Sequence, residues 1–118
     1  HVEVPRLKFE KLSENRLAEK SKSIRKRVEK ARNIQKNRFL GLKIITNSEM
    51  ESEQIRKFCS LDQTCVELMR SAVTSLHLSA RSYYRIIKVA RTIADLSQSE
   101  NIKPEYIAEA IQYRFKTE

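Results

Sequence analysis

Two sets of arginines stand at spacings that a helix would gather on one face. Arg25 and Arg32 are seven residues apart in Ile24-Arg-Lys-Arg-Val-Glu-Lys-Ala-Arg32, with Arg27 between them, and Arg81 and Arg85 are four apart. The guanidinium is a planar fork of donors that matches phosphate or carboxylate geometry. Carried on a helix, such a fork is aimed more steadily than one on a loop. The same residues can also line a solvated face or pair with glutamates, and composition alone does not choose between these uses.

Other chemistry is sparse. Cys59 and Cys65 are separated by five residues, which fits neither a redox pair nor a zinc knuckle. His1 and His77 are far apart in sequence, and neither has a ligand partner nearby, so no metal site is expected. Cys65 reads as small core filler and His77 as a helix end. The single glycine, Gly41, cannot build a phosphate loop. Asp62 and Asp95 are the only aspartates, read as a helix cap and a solvent-facing residue. Nothing resembles a nucleophile with its base and orienting carboxylate. Independent catalysis is therefore not expected of this chain.

These side chains need elements to hold them. The 118 residues are 40% hydrophobic and 33% charged, which suits one globular domain. One glycine and two prolines favour long helices over a turn-rich sheet. No apolar run approaches the roughly 18 residues of a membrane span, and no signal peptide opens the sequence, so a cytoplasmic setting is expected. The net charge of +9 is uneven: residues 1–38 hold 13 Lys and Arg against 5 Glu, while residues 39–118 hold 11 against 10 acidic groups. The positive field of the first third could attract nucleic acid, nucleotide phosphates or an acidic protein surface.

The apolar periodicity predicts an all-α bundle of about five helices. His1–Val4 reads as the end of a strand stopped by Pro5, and residues 6–22 as a polar linker. Residues 1–20 are thus expected to be a poorly ordered core remnant and linker, with the helical domain at 21–118. The first helix is expected from Ser23 to Leu40, with Ile24, Val28, Ala31, Ile34 and Phe39 as its stripe and Gly41 at its end. A short helix follows at Glu51–Phe58. The next is capped by Ser60 or Asp62 and runs to Leu76 on Cys65, Leu68, Met69, Ala72, Val73 and Leu76. Ser79 caps the fourth, Ala80–Leu96. On it Arg81, Arg85, Lys88, Thr92 and Asp95 form the stripe opposite the core. Pro104 starts the last helix, which turns Ile107, Ala108, Ala110 and Ile111 inward.

The blocks that carry these features resemble one family. Leu78-Ser-Ala-Arg81-Ser-Tyr-Tyr-Arg85-Ile-Ile-Lys-Val-Ala-Arg91-Thr-Ile-Ala-Asp95-Leu is similar to the carboxy-terminal helical region of magnesium-chelatase-like proteins of the ComM, or YifB, group. His1–Pro5 resembles the stretch after that family's ATPase core, Ser23–Phe39 its first lid helix, and Ile107–Arg114 its terminal helix. The resemblance covers essentially the whole chain in order. Lys26, Lys30 and Tyr106 depart mildly from the family's usual residues.

The resemblance implies a helical lid of an AAA+ ATPase, whose Walker residues, first sensor and arginine finger lie upstream. Arg81 would stand at the second-sensor position, the one catalytic assignment, with Arg85 beside it toward the nucleotide. The whole protein would use ATP and magnesium, assemble as a hexameric ring and process DNA during natural transformation. The chain alone would be monomeric and hold no cofactor tightly. Arg25, Arg27 and Arg32 would contact nucleic acid or a neighbouring subunit. The alternative is a free-standing basic helical module that binds nucleic acid or docks on protein.

Overall fold

The computed structural model describes the backbone of residues 3–117 and the side chains of residues 18–114. Five α-helices and one 3-10 turn follow one another, with no strand among the described residues: α1 Glu3–Arg38, the turn Asn47–Glu49, α2 Ser52–Phe58, α3 Gln63–Leu76, α4 Ala80–Leu96 and α5 Pro104–Thr117. The all-α expectation holds.

α1 corrects the sequence reading. It begins at Glu3, so residues 6–22, expected as a linker, are helical, and Ser23 lies inside the helix instead of opening it. Of the expected strand end, His1 and Val2 lie outside the described residues, while Glu3 and Val4 open α1. Pro5 is no obstacle, because first-turn amides have no intrahelical acceptor to lose. The rest of the segment is rich in Leu, Lys, Glu, Arg and Ala and lacks glycine, so propensity favours a helix where the apolar pattern does not mark one.

Among the described side chains of α1, only those of its last third pack. Ala31, Gln35 and Phe39 are buried, Val28 and Ile34 half-buried, and residues 18–27 are all exposed. Ile24, expected in the stripe, is 42% exposed, because α1 has already run past the bundle at that level. After Arg38 the chain turns at Gly41, whose φ of +84° is a conformation that favours glycine. Glu49 then holds the 3-10 turn together. Its carboxylate accepts from the Ile45 and Thr46 backbone N–H groups at 3.2 and 3.1 Å and from the Thr46 hydroxyl at 3.0 Å.

The remaining helices start where local signals place them. Asp62, not Ser60, caps α3, accepting from the Cys65 N–H at 2.8 Å. His77 ends that helix in the left-handed region at φ 53°. Ser79 caps α4, its hydroxyl accepting from the Ser82 N–H at 3.1 Å. α4 is the central helix and packs against α1, α2, α5 and the 3-10 turn, while α3 packs on α5. The core gathers Phe39, Met50, Ile55, Cys59, Cys65 and Met69 around Ile86, Ile87, Ala90 and Ala94 of α4, and α5 adds Ile107 and Ala110. Val73 is 37% exposed. Ala108 is exposed rather than inward, since it lies about 100° round the helix from Ile107.

Candidate functional site

The face of α4 expected opposite the core carries two different environments. At its carboxy-terminal end it lies under α1. Asp95 is 1% exposed and Arg91 5%, so the solvent-facing reading of Asp95 is overturned. Arg38 of α1 donates through both terminal nitrogens to the two Asp95 oxygens, at 2.6 and 2.8 Å, and through Nη1 to Asn47 Oδ1 at 2.8 Å. Arg91 approaches Asp95 at 3.2 Å from one turn earlier and donates to the Ser99 and Glu100 carbonyls at the end of α4. Asn47 completes the set, donating to Asp95 Oδ2 at 2.8 Å and to the Thr92 hydroxyl at 3.1 Å. Its backbone N–H donates to the buried Gln35 side chain at 3.0 Å. Burial lowers the Arg91 pKa below its usual value, and the Asp95 charge opposes that shift.

This network is the feature that sequence reasoning missed. The signal was present as the i,i+4 pair Arg91–Asp95, but only the presence of α1 over that flank makes it buried. The network ties α1, the 3-10 turn, α4 and the segment after α4 together, and it fixes the rotation of α1 about its own axis.

Toward the amino-terminal half of α4 the same face opens. A hollow of about 970 Å³ lies between α1, α4 and α5. Arg81, Arg85 and Lys88 of α4 and Arg27 of α1 line it, facing Glu105 and Glu109 of α5. Tyr106, Tyr113, Val89 and Ile93 add apolar surface to its floor and wall. Arg27, Arg81 and Arg85 are exposed, and Lys88, half-buried, donates to the Ser48 carbonyl at 3.1 Å. The amino terminus of α4 adds its own partial positive charge to this end. The arrangement suits a polyanion that enters from solvent and meets guanidinium forks from two helices.

The expected site residues therefore separate. The structure brings Arg27, Arg81 and Arg85 to one hollow. Arg25 and Arg32 are exposed on α1 and do not line it. Among the described residues no group of three or more His, Cys, Asp or Glu is placed to hold a metal ion, and no helix is long and apolar enough to cross a membrane.

Residues 18–114 match the family described as magnesium chelatase, subunit ChlI C-terminal. Over 96 residues, 81% of this chain, it is 38% identical to the uncharacterized protein YifB of Escherichia coli. Over the same length it is 38% identical to the competence protein ComM of Haemophilus influenzae. YifB of Salmonella typhimurium is 34% identical over 96 residues. The match spans 18% of the length of each of these relatives.

Proposed function

The chain belongs to the magnesium chelatase ChlI C-terminal family, and from that premise we propose that it is the helical lid of a longer ATPase, with Arg81 as its nucleotide-sensing residue. Residues 21–118 form the lid unit in this reading, and the first part of α1 leads back to an upstream ATPase core. That core binds ATP and magnesium; the lid contributes guanidinium groups as it closes. The observation that carries the reading is the convergence of Arg81 and Arg85 on one open hollow, on a helix whose start is fixed by Ser79.

Arg81 lies in the first turn of α4, exposed and outside the core stripe. Its fork is free to reach the terminal phosphate of a nucleotide held by the core. There it would offset negative charge as the phosphoryl group transfers, and so link lid position to nucleotide state. Arg85, one turn later, supports the same phosphates or a neighbouring subunit. The chain alone holds ATP weakly, since a solvent-facing ion pair contributes about 0–1 kcal/mol and millimolar affinity requires about 4 kcal/mol.

The wider role rests on the relatives. One of them is named a competence protein, and we extend that to DNA processing by a ring of such subunits, hexameric by the family resemblance. The exposed, basic Arg25 and Arg32 on α1 are the candidate contacts to DNA or to the next subunit.

The test is steady-state ATP hydrolysis by the protein carrying its upstream domain. Arg81→Ala should slow turnover by roughly 10²–10³-fold, as for loss of a transition-state donor. Circular dichroism of the 118-residue chain should be unchanged. Wild-type turnover in the variant would overturn the sensor role, and lost turnover with an unfolded lid would reassign Arg81 to structure.

A further inference from the structure

We infer that Arg27 of α1 is a third phosphate-binding residue of the Arg81–Arg85 hollow, and not part of the basic face formed by Arg25 and Arg32. The inference rests on the nucleotide reading of Arg81 and adds a residue from a different helix to that site.

Helix phase supports it first. At about 100° per residue, Arg27 lies close to the mean direction of Ala31, Ile34, Gln35 and Arg38, the residues that α1 turns toward the bundle. Arg25 and Arg32 lie about 140–160° away from Arg27 on the same wheel. Arg27 is therefore the next position of the inward stripe, one turn beyond the last buried residue, Ala31. An apolar residue there would extend the packed seam. The sequence places a guanidinium instead, and the space beside it is the hollow.

Distance along the two helices is consistent with it. The bidentate Arg38–Asp95 pair pins one end of α1 against α4. From that pin, Arg27 is 11 residues back along α1 and Arg85 is 10 back along α4, which is about 16 and 15 Å of helix. The two stretches of helix are of nearly equal length, and Arg27 and Arg85 both line the hollow. No ion pair within 4.0 Å joins Arg27, Arg81 or Arg85 to Glu105 or Glu109 among the described residues, although both carboxylates line the same hollow. A ligand with several linked phosphates offers an acceptor to forks from both helices at once.

ATPase kinetics and DNA affinity, measured on the protein with its upstream domain, test this with three variants. Arg27→Ala should raise the KM for ATP roughly tenfold, the scale of one charge-assisted hydrogen bond, with DNA affinity unchanged. Lys36→Ala removes the same charge from the far side of α1, about 180° from Arg27, and should leave the KM unchanged. This separates a contact from a general field. Arg27→Lys, which keeps the charge but loses the fork, should recover only part of the affinity. An unchanged KM in Arg27→Ala overturns the inference, and so does an effect on DNA affinity alone or an equal effect in Lys36→Ala. Arg81→Ala run beside it keeps the two claims apart: slowed turnover there with a normal KM in Arg27→Ala leaves the sensor role standing and removes Arg27 from the site.

Discussion

Arg38 holds both carboxylate oxygens of Asp95, joining α1 to the last turn of α4. The Asp95 side chain is wholly buried and that of Arg38 is 11% exposed. The same carboxylate also faces Arg91, so one anion balances two guanidinium groups. Such a site contributes little beyond a well-packed apolar substitute, but removing one partner leaves uncompensated charge in the interior.

Asp95→Ala should therefore destabilise the domain by about 3–5 kcal/mol, a large share of the roughly 5–15 kcal/mol available to a domain. Arg38→Ala should cost less, because Asp95 keeps Arg91 and Asn47 as partners. Urea unfolding measures both. A loss near the roughly 0–1 kcal/mol of a surface pair in Asp95→Ala would mean that the network contributes no more than an exposed one.

A smaller effect is expected at the start of α4. Ser79→Ala removes the acceptor of the Ser82 N–H and should lower stability by about 1 kcal/mol. Because Arg81 lies two residues on, the lost cap loosens the turn that carries it. If the chain is the lid of a longer ATPase, as proposed, Ser79→Ala should therefore reduce that protein's turnover by more than its stability loss explains at a temperature where the lid is fully folded. Replacement by Asp, an equally good cap, should restore stability. Equal turnover in Ser79→Ala and wild type would show that the cap does not position Arg81.

What could be read in the sequence was local. Ser79, Pro104 and His77 act on their own helix ends, so α3, α4 and α5 fall where the pattern places them. Asp62 displaced Ser60 as the α3 cap because its carboxylate reaches the Cys65 amide three residues on. What could not be read depends on packing or on weak preferences. A helix that is polar on every side, as in the first part of α1, leaves no apolar stripe to find. Asp95 looked solvent-facing because the α4 pattern cannot reveal that α1 covers that flank. The grouping of Arg27 with Arg81 and Arg85 likewise depends on how α1 packs beside α4, which neither helix carries in its own spacing.

The cysteines offer a chemical probe of the fold. Both are buried, Cys59 against Met50 at 4.0 Å and Cys65 beside the Ile102 carbonyl at 3.5 Å. Burial pushes the Cys59 thiol up to about 11, with nearby Arg91 and Arg38 opposing it. Burial and the neighbouring Asp62 charge push Cys65 up to about 11 as well. At pH 8 both thiols should react with a disulfide reagent many-fold more slowly than in urea-unfolded chain. Rapid reaction of either under native conditions would show that α2 or α3 opens readily.

Acid should loosen the helix starts first. Hydrogen bonds from the Cys65 backbone hold the Asp62 pKa below its ordinary value, and those from the Ile45 amide and the Thr46 side chain do the same for Glu49. A depressed carboxylate pKa means that the folded state prefers the ionised form. The stabilisation is present above the unfolded pKa and is lost as pH falls through the folded one, that is, below about pH 4. Asp62→Asn keeps an acceptor but cannot titrate, so its stability should fall less steeply than wild type between pH 5 and 2 as order-of-magnitude limits. Parallel pH profiles for the two proteins would remove Asp62 from the account.

The outward face of α1 gives the last expectation. Arg25 and Arg32 share a direction away from the bundle and are both exposed. If this face tracks a nucleic-acid backbone in the assembled protein, each residue neutralises about one phosphate, and its removal should flatten the dependence of log K on log salt by about one unit. The double variant Arg25→Ala/Arg32→Ala should therefore lose about two units of slope and weaken DNA binding across unrelated sequences alike, because phosphate contacts carry no base information. Binding isotherms at several salt concentrations decide it. An unchanged slope with impaired subunit assembly would assign the face to the neighbouring protomer, and an unchanged slope with normal assembly would return both arginines to a solvated surface.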